Sequence, residues 1–564
     1  MGTTSDKLLY LQDTKSAIKN AIVAKGVDVP TGTTFRDYAT KIDEITTGGG
    51  GSEIADAWVR PTEWLALPDN VDGVQKVSIL NAVFDTDSEF VAFNCKGAYT
   101  VDWGDGTTND YASSVKAEHK YDYTNASLNS GTVSTFGYKQ CIITITPQAG
   151  DNLTSIFLNH FYSTLGSGSN YDLTTGFLDI RINSLSCTVI DIGQNSAVDY
   201  VKHTMLEQCL IGELADTTLD SLFYNCYVLQ SVSIKDTSNV TSFANMHYNN
   251  YALQKMPTYT FRSAGAIYQS MFTGCYNLKE TYPLTITIAG NIVGMFINCK
   301  SLKYINITIS SSTDYSLTDL FSGCLSLETV ILNLTGTGKV TNLGSTFRYT
   351  RIKESPVIDT SICTTFANAF QFCDRLTNLY AYNYSSATTL ANMLDGCYSL
   401  KSVPNFNITT SCTNLSSLCN NCWSLEKAPT FSDSSGVTNI TSMLRYCKSL
   451  TTVPSYVFGD VTGTLFNATF EYCDSLQVLP SITIGSLYTA NPNIIARNYS
   501  LKRMLIPLKY TFTVANAKMS ASALNEMFNI LPTVTGQTVT ITGNYGASTC
   551  DTTIATAKGW TVVT

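Results

Sequence analysis

Charge is the property that this sequence has least of. Asp, Glu, Lys and Arg make up 14% of its 564 residues, whereas an average globular protein has roughly 25%. The formal net charge is −9, and no basic run is present that would neutralise a phosphate backbone. We therefore expect no nucleic-acid partner, and a surface covered mainly by Ser, Thr, Asn and Tyr.

Long apolar runs are also missing. No stretch of about 18 apolar residues appears, as a transmembrane helix would require. The N-terminus, MGTTSDKLLYLQDTKSAIKNAI, lacks the basic-then-apolar layout of a secretory signal. The sequence predicts neither membrane insertion nor export.

Residues of common catalytic and metal motifs are sparse. The four histidines, at 119, 160, 203 and 247, are scattered, and neither HExxH nor GxSxG occurs. The 17 cysteines are an odd number in a large chain without an export signal, which favours reduced, buried thiols over disulfides. We expect no catalytic residues, no metal and no cofactor.

What the sequence does contain is a repeat. MLDGCYSLKSVPNFN at 393–407 recurs as MLRYCKSLTTVPSYV at 443–457, and more copies surround these two. We call the position of the Cys in this pattern the register position. It recurs at steps of 23 to 26 residues, as Cys226, Asn250, Cys275, Cys299, Cys324, Thr350, Cys373, Cys397, Cys422, Cys447, Cys473 and Asn498. This makes twelve coils between about 216 and 505.

The spacing within one coil predicts its local structure. Met443, Leu444, Cys447 and Leu450 are spaced as on one face of a helical turn, and Val453 follows in a short apolar segment. Each coil is therefore predicted as a short helix or turn followed by a strand. One coil cannot bury its apolar face alone, but a stack of coils encloses a continuous core.

The register Cys is interpreted as a small hydrophobe at a point where two coils approach closely. Cys419 and Cys422 form a CxxC, but both fall on the repeat pattern. Zinc sites pair cysteines two to four residues apart, twice over, so a structural role is favoured here over a metal or redox role.

The MF-x-x-C-x-x-L core, with a frequent VP after it, resembles the BspA-like leucine-rich repeats of bacterial surface and phage proteins. The resemblance covers about half of the chain, in twelve copies. It implies a leucine-rich-repeat solenoid that serves as a structural or binding element.

Two short modules precede the array. Residues 1–47 contain an amphipathic stretch with apolar Leu8, Leu11, Ile18 and Ile22, predicted as a helical docking segment for copies of itself or a partner. A frayed helical hairpin is the alternative. Residues 48–53 include GGGGS and are predicted as a flexible linker.

Residues 54–150 alternate in a β pattern, as at 99–103 and 141–146. VDWGDGT at 101–107, HKY at 119–121 and the terminal ITITP resemble the polycystic-kidney-disease (PKD) type of immunoglobulin-like domain, which implies a β-sandwich. Asp102 and Asp105 could bind a cation or act as an acid pair. We favour the alternative that their carboxylates hold the turn by accepting hydrogen bonds from backbone N–H groups.

The remaining segments are predicted as caps. Residues 151–215, with a strand at 178–182, cover the first edge of the solenoid. Residues 506–564 form a C-terminal α/β cap, with a helix at 520–531 and a second, capped helix at 551–559. The predicted fold class is thus mainly β with short helices: a twelve-coil solenoid preceded by an Ig-like sandwich and a helical N-terminal segment.

A candidate interaction surface lies just after the register position. Aromatic residues occupy this position in six coils, as Tyr227, Tyr251, Tyr276, Tyr398, Trp423 and Tyr499. Stacked coils would align them in a stripe suited to contact with protein or sugar rings, or else the rings pack between coils; both interpretations are open.

Paired acids are the candidates for a glycan-cleaving site. Such a site needs two carboxylates roughly 5 to 10 Å apart, which Asp374 with Asp395, or Glu471 with Asp474, would supply. A solvated acidic face is the favoured alternative.

The order of modules resembles the appendage proteins of tailed bacteriophages. This resemblance implies a non-catalytic virion component (tail fibre, baseplate or other appendage), assembled in the host cytoplasm and anchored to other virion proteins by its N-terminal segment. A homo-oligomer that presents the repeats to a host-surface glycan or protein is expected. The alternatives are a bacterial cell-surface leucine-rich-repeat adhesin and a glycan-depolymerising tail enzyme.

Overall fold

The computed structural model describes residues 58–85, 90–125, 127–128, 133–160, 162, 176–193, 203–289, 291–460, 467–485, 495 and 497–564. Residues Thr62–Thr564 form one compact unit, and the description below concerns that unit. The predicted docking residues Leu8, Leu11, Ile18 and Ile22 and the linker at 48–53 lie outside the described residues.

The described part of the chain is mainly β with two short helices, as predicted. The first nine strands are β1 (Lys76–Val83), β2 (Phe90–Lys96), β3 (Tyr99–Asp102), β4 (Thr108–Tyr111), β5 (Ala117–Lys120), β6 (Lys139–Pro147), β7 (Ser155–His160), β8 (Phe177–Ser184) and β9 (Val189–Asp191). The strands of the repeat region are β10 (Gln208–Leu214), β11 (Ser231–Ile234), β12 (Leu284–Thr287), β13 (Tyr304–Ser311), β14 (Tyr315–Ser316), β15 (Thr329–Gly336), β16 (Val340–Asn342), β17 (Val478–Leu479), β18 (Arg503–Met504), β19 (Phe512–Thr513), β20 (Gln537–Thr540) and β21 (Trp560–Val563). The helices are α1 (Ala521–Ile530) and α2 (Thr553–Thr556).

Two sheets form a sandwich at the N-terminal end of the unit. One has the strand order β11-β10-β8-β1-β6-β3-β4, and the other β5-β2-β7-β9. Cys141, Ile143 and Ile145 alternate along β6 as buried residues, as expected of a strand with one face in the core. Phe93 of the second sheet packs on Trp103 beside the first, with ring centroids 5.4 Å apart.

The sandwich and the first coils share both sheets. β8 pairs antiparallel with β1 and parallel with β10, and β7 pairs antiparallel with β2 and parallel with β9. Residues 151–215, predicted as a cap, therefore supply strands to the sandwich and the solenoid at once. One continuous apolar core runs from Val77 in the sandwich to Trp560 near the C-terminus.

The segment around each register position is a run of tight turns. The Cys226 N–H donates to the Phe223 carbonyl within its coil at 3.2 Å, whereas the N–H groups of Phe223 and Asn225 donate to Met246 and Tyr248 of the next coil at 2.9 and 2.8 Å. An α-helix keeps its N–H groups bonded within the same segment. Of the two predicted options, helix or turn, the structure has the turn.

After the turns, successive coils pair in parallel. β12, β13 and β15 form a three-stranded parallel sheet. Elsewhere the pairing shrinks to single bridges, such as Lys427 with Thr452 and Thr452 with Val478. The strands predicted in every coil are thus short, and the turns carry much of the hydrogen bonding between coils.

Two backbone positions are left-handed in each of the first eleven coils. One is the residue directly before the register position, which we call the pre-register position, as at Asn225 (φ 61°) and Gly274 (φ 76°). The other lies four residues earlier, as at Ser221 (φ 60°). Asn and Gly tolerate this conformation best. At Gly274 a side chain is also excluded by space, because a Cβ would lie 2.3 Å from Oδ1 of Asn249.

Aromatic rings three residues before the register position form a column inside the solenoid. Successive centroids are 5.6, 5.9, 5.8 and 5.3 Å apart from Phe272 through Phe296, Phe321 and Phe347 to Phe370. Each ring is buried, which is worth roughly 1.5 to 3 kcal/mol per side chain. This column is a main source of the stack's stability.

The register side chains act as hydrogen-bond donors. The thiols of Cys299 and Cys397 donate to the carbonyls of Phe272 and Phe370 in the preceding coil at 3.3 and 3.2 Å. Asn250 does the same through Nδ2 to Phe223 at 2.7 Å. All cysteines are free and all but Cys550 are buried, as predicted. Small size alone is therefore an incomplete account of this position, because Cys and Asn share a donor.

The repeat continues past residue 505, to about fourteen turns in all. β19, β20 and β21 pair in parallel, and Asn544 donates to the Val514 carbonyl at 2.8 Å as a register Asn does. A Cβ at Gly543 would lie 2.4 Å from Oδ1 of Asn516, as at Gly274. The two last turns lack the Cys and Leu pattern, so the twelve-coil count missed them.

The helix predicted at 520–531 is present as α1. Ser520 caps it by accepting the Ala523 N–H, and Leu524, Met527 and Phe528 form its buried face. α2 follows within the predicted 551–559 segment, where the Asp551 carboxylate accepts the Thr553 N–H at 3.0 Å. Both helices are insertions between the strands of the last turns.

Candidate binding face on the turns of the solenoid

The six aromatic residues predicted as an interaction surface form two columns and one separate residue. In the first column Tyr227, Tyr251 and Tyr276 stack with centroids 4.9 and 4.6 Å apart and interplanar angles of 20° and 5°. Lys300 follows in the next coil, with its ammonium 3.9 Å from the Tyr276 centroid. This geometry is that of a cation–π contact.

The second column contains Tyr398 and Trp423, whose centroids lie 4.6 Å apart at 45°. The Lys448 ammonium lies 4.5 Å from the Trp423 ring centroid. Trp423 is 44% exposed and Tyr499, which stands apart, is 49% exposed. Trp423 packs against the ring of the preceding coil and is also exposed to solvent, so the two interpretations are not exclusive. The role of the aromatic residues in binding stays a prediction.

A second aromatic set, which sequence reasoning missed, occupies the pre-register position. Tyr349 stacks on Phe372 (4.9 Å, 7°), and Tyr446 stacks on Tyr472 (4.4 Å, 18°). Their φ angles lie between 58° and 60°, a conformation that costs a residue with a Cβ roughly 1 to 2 kcal/mol. Partly exposed aromatic side chains on a strained backbone often mark a functional site.

The sequence contained this signal. Seven other coils have Gly or Asn at the pre-register position, namely Asn225, Asn249, Gly274, Asn298, Gly323, Gly396 and Asn421. The aromatic residues break that pattern in four coils. Arginines accompany them, since Arg445 and Arg497 lie over the Tyr472 ring at 5.8 and 4.8 Å.

A polar column runs beside these rings, two residues before the register position. The Asp395 carboxylate accepts hydrogen bonds from Nε2 of Gln371 and Nδ2 of Asn420, both at 3.0 Å, and from Nδ2 of Asn421 at 3.2 Å. Asp395 is only 6% exposed. A buried carboxylate is stable here because several amide groups donate to it.

The predicted acid pairs are built into this face. Asp395 is held by amides as described, and Glu471 accepts from Nε of Arg445 at 2.7 Å. Burial raises the pKa of the Tyr398 phenol, and the charges of Asp395 and Asp374 add to that rise. One carboxylate of each predicted pair, Asp395 or Glu471, is therefore held in place by hydrogen-bond donors. Catalysis by these acids stays an untested alternative.

Asp102 and Asp105 hold the turn after β3. Asp102 accepts the Gly104 N–H and Asp105 the Thr107 N–H, both at 3.0 Å, which confirms the structural interpretation. His119 Nε2 lies 2.8 Å from Asp105. Burial acts to raise the pKa of Asp105, but hydrogen bonds from Thr107 and His119 outweigh it, so the pKa is lowered.

Two histidines are buried in the core. His247 takes the place of a Phe in the aromatic column, 5.4 Å from Phe223 and 5.2 Å from Phe272. Its ring nitrogens lie 2.7 Å from Asn250 Oδ1 and 2.6 Å from the Tyr259 hydroxyl. Burial lowers the pKa of both His247 and His203 to about 4.

Within the described residues no group of three or more His, Cys, Asp or Glu is arranged to hold a metal ion. Neither α1 nor any other described helix has the length and apolarity needed to cross a bilayer.

Family comparison supports the repeat class. Four overlapping stretches, 216–309, 290–405, 315–431 and 360–477, match the family model described as Mycoplasma protein of unknown function, DUF285. Together they span 216–477, slightly less than half of the chain. The described residues form a β-solenoid, and this match supports a repeat of the BspA-like class.

Other comparisons are distant. None of the curated proteins matches this chain in sequence. The solved TLR13–ssRNA13 complex is similar at 12% identity over 68% of this chain and 72% of that chain, with a TM-score of 0.19. The plant peptide hormone receptor RGFR1 in complex with RGF2 is similar at 13% identity over 66% and 79%, with a TM-score of 0.18. At these scores neither likeness carries an argument about this chain.

Proposed function

We propose that the protein is a non-catalytic binding component of a bacteriophage appendage. In this proposal the N-terminal segment attaches the chain to other virion proteins, and the turn face of the solenoid contacts a glycan or protein on the host surface. The observation that carries the binding role is the set of aromatic columns on the turns, with Tyr398 and Trp423 as its centre.

Aromatic columns suit recognition for a physical reason. Tyr and Trp offer large contact areas with few rotatable bonds, so ordering them on binding costs little entropy. Here packing between coils fixes the rings before a partner arrives, as for Tyr251 stacked on Tyr276 and for Tyr398 tilted against Trp423, each with centroids 4.6 Å apart. Charged residues make up only 14% of the chain, so exposed rings are a main source of specific contacts on this surface.

Cell binding tests the proposed role. Full-length protein labelled at its N-terminus should bind host cells, and Trp423→Ala should weaken binding several-fold because a 44% exposed ring is lost. Tyr304→Ser, which removes a 42% exposed ring from strand β13, is the matched control and should bind normally. Equal binding by all three folded proteins would contradict a role for the column.

The phage assignment rests on the order of modules and is tested separately. Mass spectrometry of purified particles should detect the chain at stoichiometric levels. Its presence in cell-envelope fractions instead would favour the bacterial adhesin.

The depolymerase alternative is tested by incubating the protein with host capsule polysaccharide. The proposal predicts no release of oligosaccharides. Release that disappears in Asp395→Asn or Glu471→Gln protein would establish the enzyme.

A further inference from the structure

Five tyrosines lie close together on the turns of the first three coils. Tyr224 and Tyr248 stand two residues before the register position, and Tyr227, Tyr251 and Tyr276 stand directly after it. We call these five residues the tyrosine patch. Each of them is partly exposed, so a partner can reach the patch from solvent.

The longer stack of the tyrosine patch exposes ring edges. Tyr251 lies between the rings of Tyr227 and Tyr276, at 4.9 and 4.6 Å. Tyr276 lies between the Tyr251 ring and the Lys300 ammonium, which is 3.9 Å from its centroid. Both faces of these two rings are covered, yet the residues are partly exposed. What they present to a partner is therefore the edge of the ring.

The shorter stack places its hydroxyls beside those of the longer one. Tyr224 and Tyr248 have centroids 4.5 Å apart at 9°. Burial raises the pKa of the Tyr224 phenol, and the phenols of Tyr248 and Tyr227 add to that rise. Burial likewise raises the pKa of the Tyr251 phenol, to which the phenols of Tyr276 and Tyr248 contribute. The phenols of both stacks are thus close neighbours, and at neutral pH they stay protonated as hydrogen-bond donors.

Small polar residues fill the space between the two stacks. They occupy the pre-register position, where Nδ2 of Asn249 donates to Oδ1 of Asn225 at 2.9 Å and Gly274 has no side chain. Antibody combining loops are enriched in the same residue types, because Tyr supplies rigid contact area and Asn and Gly adapt to the partner. The composition of the patch is therefore that of a protein-binding surface.

The tyrosine patch has one charged neighbour, which is a cation. From two residues before the register position to one after it, the first four coils read YNCY, YNNY, TGCY and INCK, so Lys300 carries the only charge at these positions. Aromatic ring edges are positive, and phenols and an ammonium are donors. The complementary surface is uncharged or acidic and presents carbonyl or carboxylate oxygens.

We propose that the tyrosine patch binds a protein on the host surface. An aromatic ring recognises a sugar mainly by stacking an open face on the apolar face of the pyranose, and Tyr251 and Tyr276 have no open face. A protein surface can contact ring edges and hydroxyls instead, and Tyr is enriched at such interfaces. Rings that are already stacked lose little freedom on binding. This proposal rests on the proposed function, since it chooses protein over glycan as the partner of the same turn face.

One double variant removes rings from both stacks. Tyr248→Thr combined with Tyr251→Leu introduces residues that other coils carry at the same positions, namely Thr273 and Leu325. The repeat accommodates both residues there, so the variant should fold. Unchanged circular dichroism would verify this.

A second double variant keeps every ring and removes hydroxyls alone. Tyr224→Phe combined with Tyr248→Phe retains the stacked pair, so its fold is secure even if the first variant unfolds. Tyr304→Ser again serves as the control for loss of an exposed ring elsewhere.

The measurement is binding of the full-length protein to intact host cells. The cells are used untreated, after digestion with a broad-specificity protease, and after periodate, which cleaves the vicinal diols of sugars. Protease should abolish binding and periodate should leave it unchanged. On untreated cells the Thr and Leu variant should bind at least tenfold more weakly than wild type, and the double Phe variant about fivefold more weakly, whereas Tyr304→Ser should bind normally. Loss of binding after periodate, binding that survives both treatments, or full affinity in both patch variants would overturn the proposal.

Light scattering with the same proteins tests a second copy of this chain as the occupant. Wild type and both patch variants should have the same particle mass. A smaller particle for the patch variants would mean that the patch joins copies of the chain, and the proposal would be wrong.

The cell assay also separates this proposal from the proposed function. If periodate abolishes binding by wild type, the protein assignment is wrong, but the binding role of the turn face stands. If wild type binds no host cells at all, both proposals are wrong.

Discussion

The register position shows how one residue serves the whole stack. Its side chain is small enough for two coils to approach, and it donates to a carbonyl of the preceding coil, as Cys397 does to Phe370 at 3.2 Å. Thr350 also carries a donor, but its hydroxyl donates to the Phe347 carbonyl of its own coil at 2.8 Å. Cys, Asn and Thr therefore replace one another along the register because each brings a donor.

A pair of isosteric variants at Cys397 isolates the donor. Cys397→Val leaves the Phe370 carbonyl without its thiol donor, whereas Cys397→Thr keeps a hydroxyl in the same volume. We expect the Thr variant to be more stable than the Val variant by about 1 kcal/mol, measured as the difference in urea midpoints. A more stable Val variant would show that size and apolarity alone decide this position.

Acid should destabilise the fold through its two buried histidines. Burial lowers the pKa of His203 and His247 to about 4 from 6.5, so the unfolded chain binds their protons more readily. Their contribution to stability is present above pH 6.5 and is lost as the pH falls towards 4, by roughly 3 kcal/mol per histidine.

His247→Phe tests the assignment, because Phe occupies this place in neighbouring coils such as that of Phe272. The variant should lose less stability between pH 7 and pH 4.5 than wild type, as followed by urea unfolding at each pH. An unchanged pH dependence would mean that other groups cause the acid sensitivity.

The turn is the element that defines each coil. Two left-handed residues interrupt what the spacing allowed as a helix, and the N–H groups then alternate between their own coil and the next. Gly274 follows Asn249 at the pre-register position for a steric reason, since the Asn249 side chain lies where a Cβ at Gly274 would be.

A double-mutant cycle at this pair tests the steric account. Gly274→Ala should cost about 2 kcal/mol or more, from left-handed strain and the contact with Asn249. The same change made in an Asn249→Ala background should cost less, because the contact at 2.3 Å is gone. Additive effects in thermal unfolding would show that strain alone matters.

Sequence patterns predicted the elements unevenly. Apolar spacing sufficed for the twelve coils, for α1 and for β6, because each buries a face with a regular period. It did not distinguish turn from helix, because the positive φ at Asn225 does not change the spacing of the apolar residues. It missed the last two turns, where Ala517 and Asn544 replace the Cys pattern, and it missed Phe372 and Tyr446, which follow no apolar period.

At the scale of the molecule, the sandwich and the solenoid are joined through paired strands. Ile180 of β8 lies opposite Ile79 of β1 on one side and Cys209 of β10 on the other. Coils in a solenoid contact only their neighbours, so a shared strand makes the sandwich the partner of the first coil. The two regions should open together.

Ile180→Ala should expose this coupling. The residue is completely buried, so the change should cost roughly 2 to 5 kcal/mol. Hydrogen exchange should then rise in β1 and β10 alike, while α1 at the far end keeps its protection. Faster hydrogen exchange in β1 alone would mean that the two regions unfold independently.

Hydrogen exchange of the full chain bound to host cell envelopes tests binding through the turn face most directly. We expect slower exchange in the turns around Phe372, Gly396, Asn421 and Tyr446, with unchanged exchange in the strand β13 that carries Tyr304. Protection confined to the strands, with the turns exchanging as fast as in the free protein, would contradict it.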